Sequence, residues 1–209
     1  MLIAFAGPSG AGKTTVVEEI AKGDARVKVS TSYTDRPIKP GEVDGVHYNF
    51  VSREQFTEMR DAGKFEESPD INRHLYGTPK IPDEAMTDGD LILEIDYQGV
   101  AQIRKKFPLM KTVFIFASLP ELETRLKMRN REGGEEISRR LLLARRELSE
   151  MDKFDAWVEN NILTQTIAEL RGLITLWRHR LATPACYRDP NFLYREPVHG
   201  PRIRSFTTR

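Results

Sequence analysis

The sequence predicts an α/β fold in which helices flank a parallel sheet. Short apolar runs alternate with segments of helical periodicity along most of the chain, which is typical of successive strand–helix–strand units. A Gly-rich loop joins the first apolar run to the first helical segment. A polar, turn-rich stretch then interrupts the alternation and predicts a small β-rich insert in the fold.

Five short segments are predicted as strands of the sheet, and those at 91–95 and 112–117 are predicted to be buried parallel strands, which are mostly apolar. They are Leu2–Ala6, Val27–Ser30, Leu91–Ile95, Thr112–Ala117 and Trp157–Val158. Helical patterns connect or follow them, with Pro120 well placed to open one helix. We expect helices at Lys13–Lys22, Val100–Lys106, 120–130, 137–151 and 162–181, and one in the insert at 54–63.

Composition excludes few functions but limits the cellular context. The 209 residues carry 32 basic and 31 acidic side chains, so the formal net charge of +1 gives no global attraction to nucleic acid. No apolar run approaches the roughly 20 residues that span a bilayer, and no leader is recognisable. The single cysteine, Cys186, fits a reducing compartment. We therefore expect a cytoplasmic protein that binds neither a membrane nor nucleic acid.

Residues 7–14, GPSGAGKT, fit the phosphate-loop pattern G-x-x-x-x-G-K-[ST] between a strand and a helix. Glycines let the backbone N–H groups turn toward a polyphosphate, and the helix N-terminus favours its negative charge. Lys13 would meet the β- and γ-phosphates, and the Thr14 hydroxyl is placed for Mg²⁺. The alternative is a chance match in a Gly-rich turn.

The motif predicts a P-loop NTPase core that binds a nucleoside triphosphate, and it does not identify the second substrate. The candidate triphosphate-binding residues are Gly7, Ser9, Gly10, Ala11, Gly12, Lys13, Thr14 and Thr15.

Further blocks of sequence resemble the guanylate kinase family in the family's order and near its spacing. They are STSYTDRPIKPGEVDGVHYNFVS at 30–52, LYGTP at 75–79, EIDYQGVAQIR at 94–104, RLKMRN at 125–130 with Arg140 beyond it, and the segment around Asn160. The resemblance covers about residues 1–176. It implies phosphoryl transfer from MgATP to GMP or dGMP, with Mg²⁺ accompanying ATP.

The resemblance also implies roles for residues of the insert. Arg36, Tyr48 and Tyr76 match residues that hold the GMP phosphate, and Lys39 stands where the family usually has a second arginine. A lysine keeps the charge but loses the planar fork, so we expect looser phosphate binding.

The guanine-reading set matches Ser32, Glu67 and Thr78, with Asp96 near the acceptor nucleotide. A carboxylate accepts from guanine N1–H and the 2-amino group, whereas adenine would leave Glu67 unpaired. Glu66 is the competing candidate for this role.

Two lid arginines and one base contact complete the comparison with the family. Arg129 and Arg140 match arginines that close onto the phosphates and, with Lys13, would neutralise charge in the transition state. Asn160 matches a residue near the ATP base. Glu94 replaces the family's aspartate and either acts on Mg²⁺ through water or simply packs. No general base is required, because the attacking GMP phosphate oxygen is already anionic.

These matches predict four parts of the chain. A P-loop kinase core comprises 1–32, 87–126 and 143–177, a GMP-binding insert comprises 33–86, and a helical lid comprises 127–142. The remaining residues, 178–209, form an extension with seven arginines, two acidic residues and no lysine. It could pack on the core, contact another subunit or contact phosphate groups.

Alternatives to GMP kinase activity remain open at this point. A same-fold kinase of another or modified nucleotide is suggested by Tyr33, Asp35, Lys39 and Glu94, which depart from the family pattern. A non-catalytic binding module is disfavoured by the intact phosphate loop. A P-loop GTPase would need an Asn-Lys-x-Asp motif, which the sequence lacks. A monomer and a dimer are both compatible with the sequence.

Overall fold

The computed structural model describes residues 1–71, 73–87, 89–128 and 134–180. Its core sheet has five parallel strands, which are β1 (Leu2–Ala6), β2 (Val27–Ser30), β8 (Asp90–Glu94), β9 (Lys111–Phe116) and β10 (Ala156–Glu159). Their spatial order is β10-β9-β1-β8-β2. All five lie within one residue of the predicted bounds, and the predicted α/β fold is confirmed.

Helices cover both faces of this sheet. They are α1 (Lys13–Lys22), α3 (Tyr97–Lys106), α4 (Leu119–Met128), α5 (Gly134–Leu148) and α6 (Leu163–Arg178). Side chains of β1 alternate between the two faces, with Ile3 and Phe5 in the cluster that contains α1, α4, α5 and α6. Leu2, Ala4 and Ala6 belong to the opposite cluster with α3. The sheet therefore lies between two apolar layers, which fix the positions of the loops at the ends of its strands.

The insert forms a second, smaller sheet, and its elements are β3 (Tyr33–Thr34), β4 (Asn49–Phe50), α2 (Arg53–Asp61), β5 (Phe65–Glu67), β6 (Asp70–Ile71) and β7 (His74–Pro79). The strand order is β4-β3-β7-β5, with β6 also paired to β7. Phe56, Phe65 and Leu75 form its own apolar cluster. Gly77 packs against this cluster and must be glycine, since a Cβ there would lie 2.9 Å from the rings of Phe56 and Phe65.

Helix ends follow local hydrogen bonding that the apolar pattern did not reveal. Helix α3 begins three residues before the predicted start, because the Asp96 carboxylate accepts a hydrogen bond from the Gly99 N–H and caps the helix. In α2, Ser52 and Gln55 form a reciprocal capping box. Short 3₁₀ turns at Asp83–Met86 and Met151–Lys153 complete the described secondary structure.

The last helix is fastened to the core by an ion-pair cluster. Arg178, its final residue, donates from Nε to Asp90 and from Nη1 to Asp24, each at 2.6 Å. The N-terminal ammonium also pairs with Asp90, at 3.4 Å. Of the Arg-rich extension, residues 181–209 lie outside the described residues, whereas Arg178 is ion-paired with the core domain. None of the helices in the described ranges has the length and apolar character needed to cross a bilayer.

Candidate active site

The phosphate loop lies at the carboxyl end of β1, where parallel α/β sheets usually bind ligands. Gly7, Gly10 and Gly12 have positive φ values of 143°, 91° and 84°. A Cβ on Gly7 would lie 1.8 Å from the Ile115 carbonyl oxygen, so only glycine lets the loop pass β9 this closely. The sequence motif thus coincides with a backbone shape that side chains would prevent.

Lys13 and Thr14 face a shared cavity above this loop. The cavity is lined by Ser9, Gly10, Gly12, Lys13, Thr14, Thr15 and Glu94. The Lys13 ammonium donates to the carbonyl oxygens of Gly7 at 2.6 Å and Pro8 at 3.2 Å, so it curls back over the loop. The structure therefore brings most of the predicted triphosphate-binding residues together.

Glu94, at the end of β8, belongs to the same cavity. The Thr14 hydroxyl donates to its carboxylate at 2.8 Å. Burial raises the pKa of Glu94, while the charge of Lys13 and the hydrogen bond from Thr14 oppose the rise. A carboxylate and a hydroxyl in contact suit Mg²⁺, which prefers oxygen ligands and keeps several waters.

Asn160 supports the loop from behind. Its side chain is only 6 % exposed, and its Nδ2 donates to the Ala11 carbonyl oxygen at 2.8 Å. A Cβ on Gly12 would lie 2.5 Å from that Nδ2 atom. The contact that the structure gives Asn160 is thus with the loop backbone, and its contact with an ATP base stays a prediction.

One of the two predicted lid arginines, Arg140, contacts the phosphate loop in the described part of the chain. The Arg140 Nη1 donates to the Ser9 hydroxyl at 3.3 Å, and its Nε donates to Glu136 at 3.0 Å. The other predicted lid arginine, Arg129, lies outside the described residues.

Arg36, on the insert, is a buried cation with an occupied fork. Its Nη1 and Nη2 atoms each donate to one carboxylate oxygen of Glu42 at 2.7 Å, and Nη1 also donates to the Pro37 carbonyl at 3.0 Å. The guanidinium carbon lies 4.9 Å from the ring centroid of Tyr48 and 5.3 Å from that of Phe50. These contacts use three of the five N–H donors; the other two belong to the Nε–Nη2 edge, and the guanidinium also interacts with the Tyr76 hydroxyl.

Tyr48 and Tyr76 adjoin this arginine. Their rings meet edge to face with centroids 5.8 Å apart. Burial raises the pKa of each phenol, so both hydroxyls remain protonated donors at neutral pH. A second cavity, lined in part by Tyr48, Ser32, Thr14 and Glu94, joins this region to the phosphate-loop side.

Glu67 and Thr78 form a buried polar pair on neighbouring strands β5 and β7. The Thr78 hydroxyl donates to Glu67 Oε1 at 2.5 Å. The other oxygen, Oε2, is buried without a hydrogen-bond partner in the described structure. Burial raises the pKa of Glu67 to about 7, opposed by the Thr78 hydrogen bond and reinforced by the charge of Asp96. An unsatisfied buried carboxylate oxygen is costly and indicates a missing donor.

The competing residue, Glu66, faces the other side of β5. Its carboxylate pairs with Lys106 at 2.9 Å and with Lys80 at 3.6 Å. Since its partners are already present, the geometry favours Glu67 over Glu66 as the base-reading carboxylate.

The remaining predicted acceptor residues differ in their surroundings. Ser32 is 9 % exposed where β2 leads into β3. Burial raises the pKa of Asp96, opposed by the backbone N–H groups of Gly99 and Gln98, so this carboxylate also serves as a helix cap. Lys39 is exposed, and its backbone N–H donates to Glu42 at 2.8 Å.

The sequence did not assign roles to three residues that the structure brings to the site. Glu42 orients Arg36, and the Gly-Glu turn in the family block was the available signal. Arg125, in the block at 125–130, donates to the Asn160 carbonyl oxygen at 2.7 Å. The third residue is Glu147, which interacts electrostatically with Lys13 and Asp96: burial raises its pKa to about 7, with the Lys13 charge opposing and the Asp96 charge reinforcing the rise.

Comparison with known proteins gives a consistent result. The family model described as guanylate kinase matches residues 1–176. The guanylate kinase of Aromatoleum aromaticum is 41 % identical over 184 residues, covering 87 % of this chain and 90 % of that protein. That of Paraburkholderia xenovorans is 39 % identical over 179 residues, covering 84 % and 80 %. A crystal structure of guanylate kinase from Anaplasma phagocytophilum shares the fold, with a TM-score of 0.69 at 24 % identity, covering 90 % of this chain and 88 % of that one.

Proposed function

The chain belongs to the guanylate kinase family, and on that premise we propose that it transfers the γ-phosphoryl group of MgATP to GMP or dGMP. The observation that carries this substrate choice is the buried, unpartnered Oε2 of Glu67. Guanine offers two adjacent donors, N1–H and the 2-amino group, and would supply the missing hydrogen bond. Adenine presents an acceptor at that edge and would leave the oxygen unpaired.

The donor side follows from the phosphate loop. Backbone N–H groups of the loop would hold the ATP phosphates, and Lys13 would leave the Gly7 and Pro8 carbonyls to contact the β- and γ-phosphates. Arg140, already at the Ser9 hydroxyl, would neutralise charge on the transferred group, and Arg129 has the same proposed role.

The acceptor phosphate would bind at Arg36. Because Glu42 occupies the Nη1–Nη2 end of the guanidinium, the Nε–Nη2 edge can meet the phosphate side-on and bidentately. Tyr48 and Tyr76 would add neutral hydroxyl donors, and Lys39 a further charge. Ser32, Thr78 and Asp96 would complete the pocket around the nucleoside.

Thr14 and Glu94, whose oxygens are in contact, would hold Mg²⁺, with Glu94 acting through water. The ion, when bound with ATP, would neutralise charge on the β- and γ-oxygens. The acceptor phosphate is its own anionic nucleophile, so the residues position the reactants and neutralise charge without a general base.

The cytoplasm is the proposed site of action, supported by the single cysteine of the sequence. ATP and GMP or dGMP are the proposed small-molecule partners.

A coupled assay with MgATP against GMP, dGMP, AMP, CMP, UMP and dTMP tests the proposal. We expect turnover of GMP and dGMP only, and at least a hundredfold loss in Lys13→Ala with its thermal midpoint retained. Turnover of a different acceptor would instead support the same-fold kinase alternative. ATP binding without turnover of any acceptor would support the non-catalytic module.

A further inference from the structure

A chain of hydrogen bonds behind the phosphate loop connects it to the helix that leads into the lid. Asn160, where β10 ends, donates from its backbone N–H to the Phe116 carbonyl at 2.7 Å and from Nδ2 to the Ala11 carbonyl at 2.8 Å. Its own carbonyl oxygen accepts from Arg125 Nη2 at 2.7 Å. Asn160 therefore contacts β9, the phosphate loop and α4 at once.

The Ala11 contact fixes the direction of a donor on the other side of the loop. In a planar trans peptide, the carbonyl of one residue and the N–H of the next point in opposite directions. With the Ala11 carbonyl held toward Asn160, the Gly12 N–H is directed away from Asn160. Gly12 lines the phosphate-loop cavity, whereas Ala11 and Asn160 do not.

Arg125 is placed to hold Asn160 rather than to reach solvent. Its side chain is 19 % exposed, and its Nε also donates to Glu121 at 2.8 Å, one turn earlier in α4. A charged donor to a carbonyl in a largely buried position is worth more than a surface ion pair. Leu122 and Leu126, on the same helix, lie against the loop where a Cβ on Gly10 would be 3.6 Å from each.

We propose that Arg125 is a positioning residue that acts through Asn160 to hold the Gly12 N–H toward the donor phosphates. This inference rests on the proposed donor site, and it adds a link between that site and α4, which leads into residues 129–133 of the lid. Loss of the link would weaken binding of the donor nucleotide and leave the acceptor pocket unchanged, because the insert shares none of these hydrogen bonds.

The test is the binding of MgADP to the full chain, measured by titration calorimetry without acceptor, beside the binding of GMP measured the same way. Arg125→Gln keeps a polar side chain but is shorter and loses the charged fork. We expect the Kd for MgADP to rise about tenfold and the Kd for GMP to stay within twofold of wild type. Arg125→Lys, which retains a charged donor, recovers most of the affinity.

Glu121→Gln is the matched control, since it removes the surface ion pair of Arg125 and leaves the contact with Asn160. Its Kd for MgADP is expected within twofold of wild type. Unchanged MgADP binding in Arg125→Gln, an equal loss in Glu121→Gln, or a parallel loss of GMP binding would each overturn the proposal.

A second variant covers the case in which Arg125→Gln does not fold. Asn160→Asp keeps the shape and the backbone carbonyl but sets an oxygen against the Ala11 carbonyl, so we expect weaker MgADP binding by tenfold or more. Wild-type MgADP affinity in this variant would refute the inference. The calorimetry measures nucleotide binding and not turnover, so its outcome does not depend on the proposed reaction. A wild-type protein that binds MgADP in calorimetry but fails to phosphorylate GMP in the coupled assay would refute the proposed function alone.

Discussion

Replacing Glu67 by glutamine should stabilise the free protein while removing its use of GMP. The carboxylate is 6 % exposed, one of its oxygens has no partner in the described structure, and burial raises its pKa from 4.5 to about 7. A shift of that size corresponds to an order-of-magnitude cost of about 3 kcal/mol for ionising the group in the folded state. Glutamine carries no charge and avoids this cost.

The pH dependence of stability follows from the sign of the shift. Because the folded-state pKa is raised, folding is favoured by the bound proton, and the wild type loses that contribution as pH rises from about 4.5 through about 7. The free energy of unfolding of Glu67→Gln should therefore match the wild type near pH 4.5. It should exceed the wild type by up to about 3 kcal/mol at pH 8.

The Glu67→Gln substitution should lower the use of GMP, although it raises the free energy of unfolding. A glutamine offers one acceptor and one donor, so guanine loses a hydrogen bond to an ionised group and meets an unmatched N–H. We expect kcat/KM for GMP to fall roughly a hundredfold, about 3 kcal/mol, at pH 8. In the wild type, kcat/KM for GMP should fall about tenfold from pH 8 to pH 6 as Glu67 gains its proton.

Urea unfolding and coupled kinetics at a series of pH values measure both effects. The pH dependence of kcat/KM that remains in Glu67→Gln is the contribution from titration of the GMP phosphate itself. Glu66→Gln is the control, because Glu66 is paired with Lys106 and should retain GMP turnover within a few-fold. A Glu67→Gln variant that is less stable at pH 8, or that keeps wild-type kcat/KM for GMP, would refute the reasoning.

Three further outcomes follow from other parts of the structure. Gly12 has a φ of 84°, and the Cβ of Gly12→Ala would lie 2.5 Å from Asn160 Nδ2, so this variant should lose MgADP binding in calorimetry. Its control is Gly63→Ala, at a φ of 67° with nothing within 4 Å of the new Cβ, which should lose only about 1 kcal/mol of stability in urea unfolding. Arg178→Ala leaves Asp90 buried without its arginine and should cost about 3–5 kcal/mol in urea unfolding, against less than about 0.5 kcal/mol for the exposed Lys22→Ala. Chelation of Mg²⁺ should abolish turnover in the coupled assay while GMP binding in calorimetry persists, and turnover without the ion would contradict the assigned metal role.

The sequence predicted the elements whose signals are local. Strands packed between two layers of helices are mostly apolar, so the five core strands were predicted within one residue of their bounds, although the edge strand Val27–Ser30 carries an exposed lysine. The phosphate loop is a strand, a turn and a helix in immediate succession, and its glycines Gly7, Gly10 and Gly12 adopt the positive φ values that this turn needs. The family blocks then assigned Arg36, Glu67 and Arg140, and the structure gives each of them buried or charged partners.

Tertiary structure decided which of several possible partners each side chain meets. Strand alternation places Glu66 and Glu67 on opposite sides of β5 but does not say which side holds Lys106. The contacts of Asn160 with Arg125 and Ala11 join residues 35 and 149 positions apart, and no local pattern encodes them. The sequence alone thus determined the fold class and the phosphate-binding turn, because both depend on short-range sterics and apolar periodicity. The hydrogen bonds that orient the loop depend on how distant elements pack, and only the folded structure specifies them.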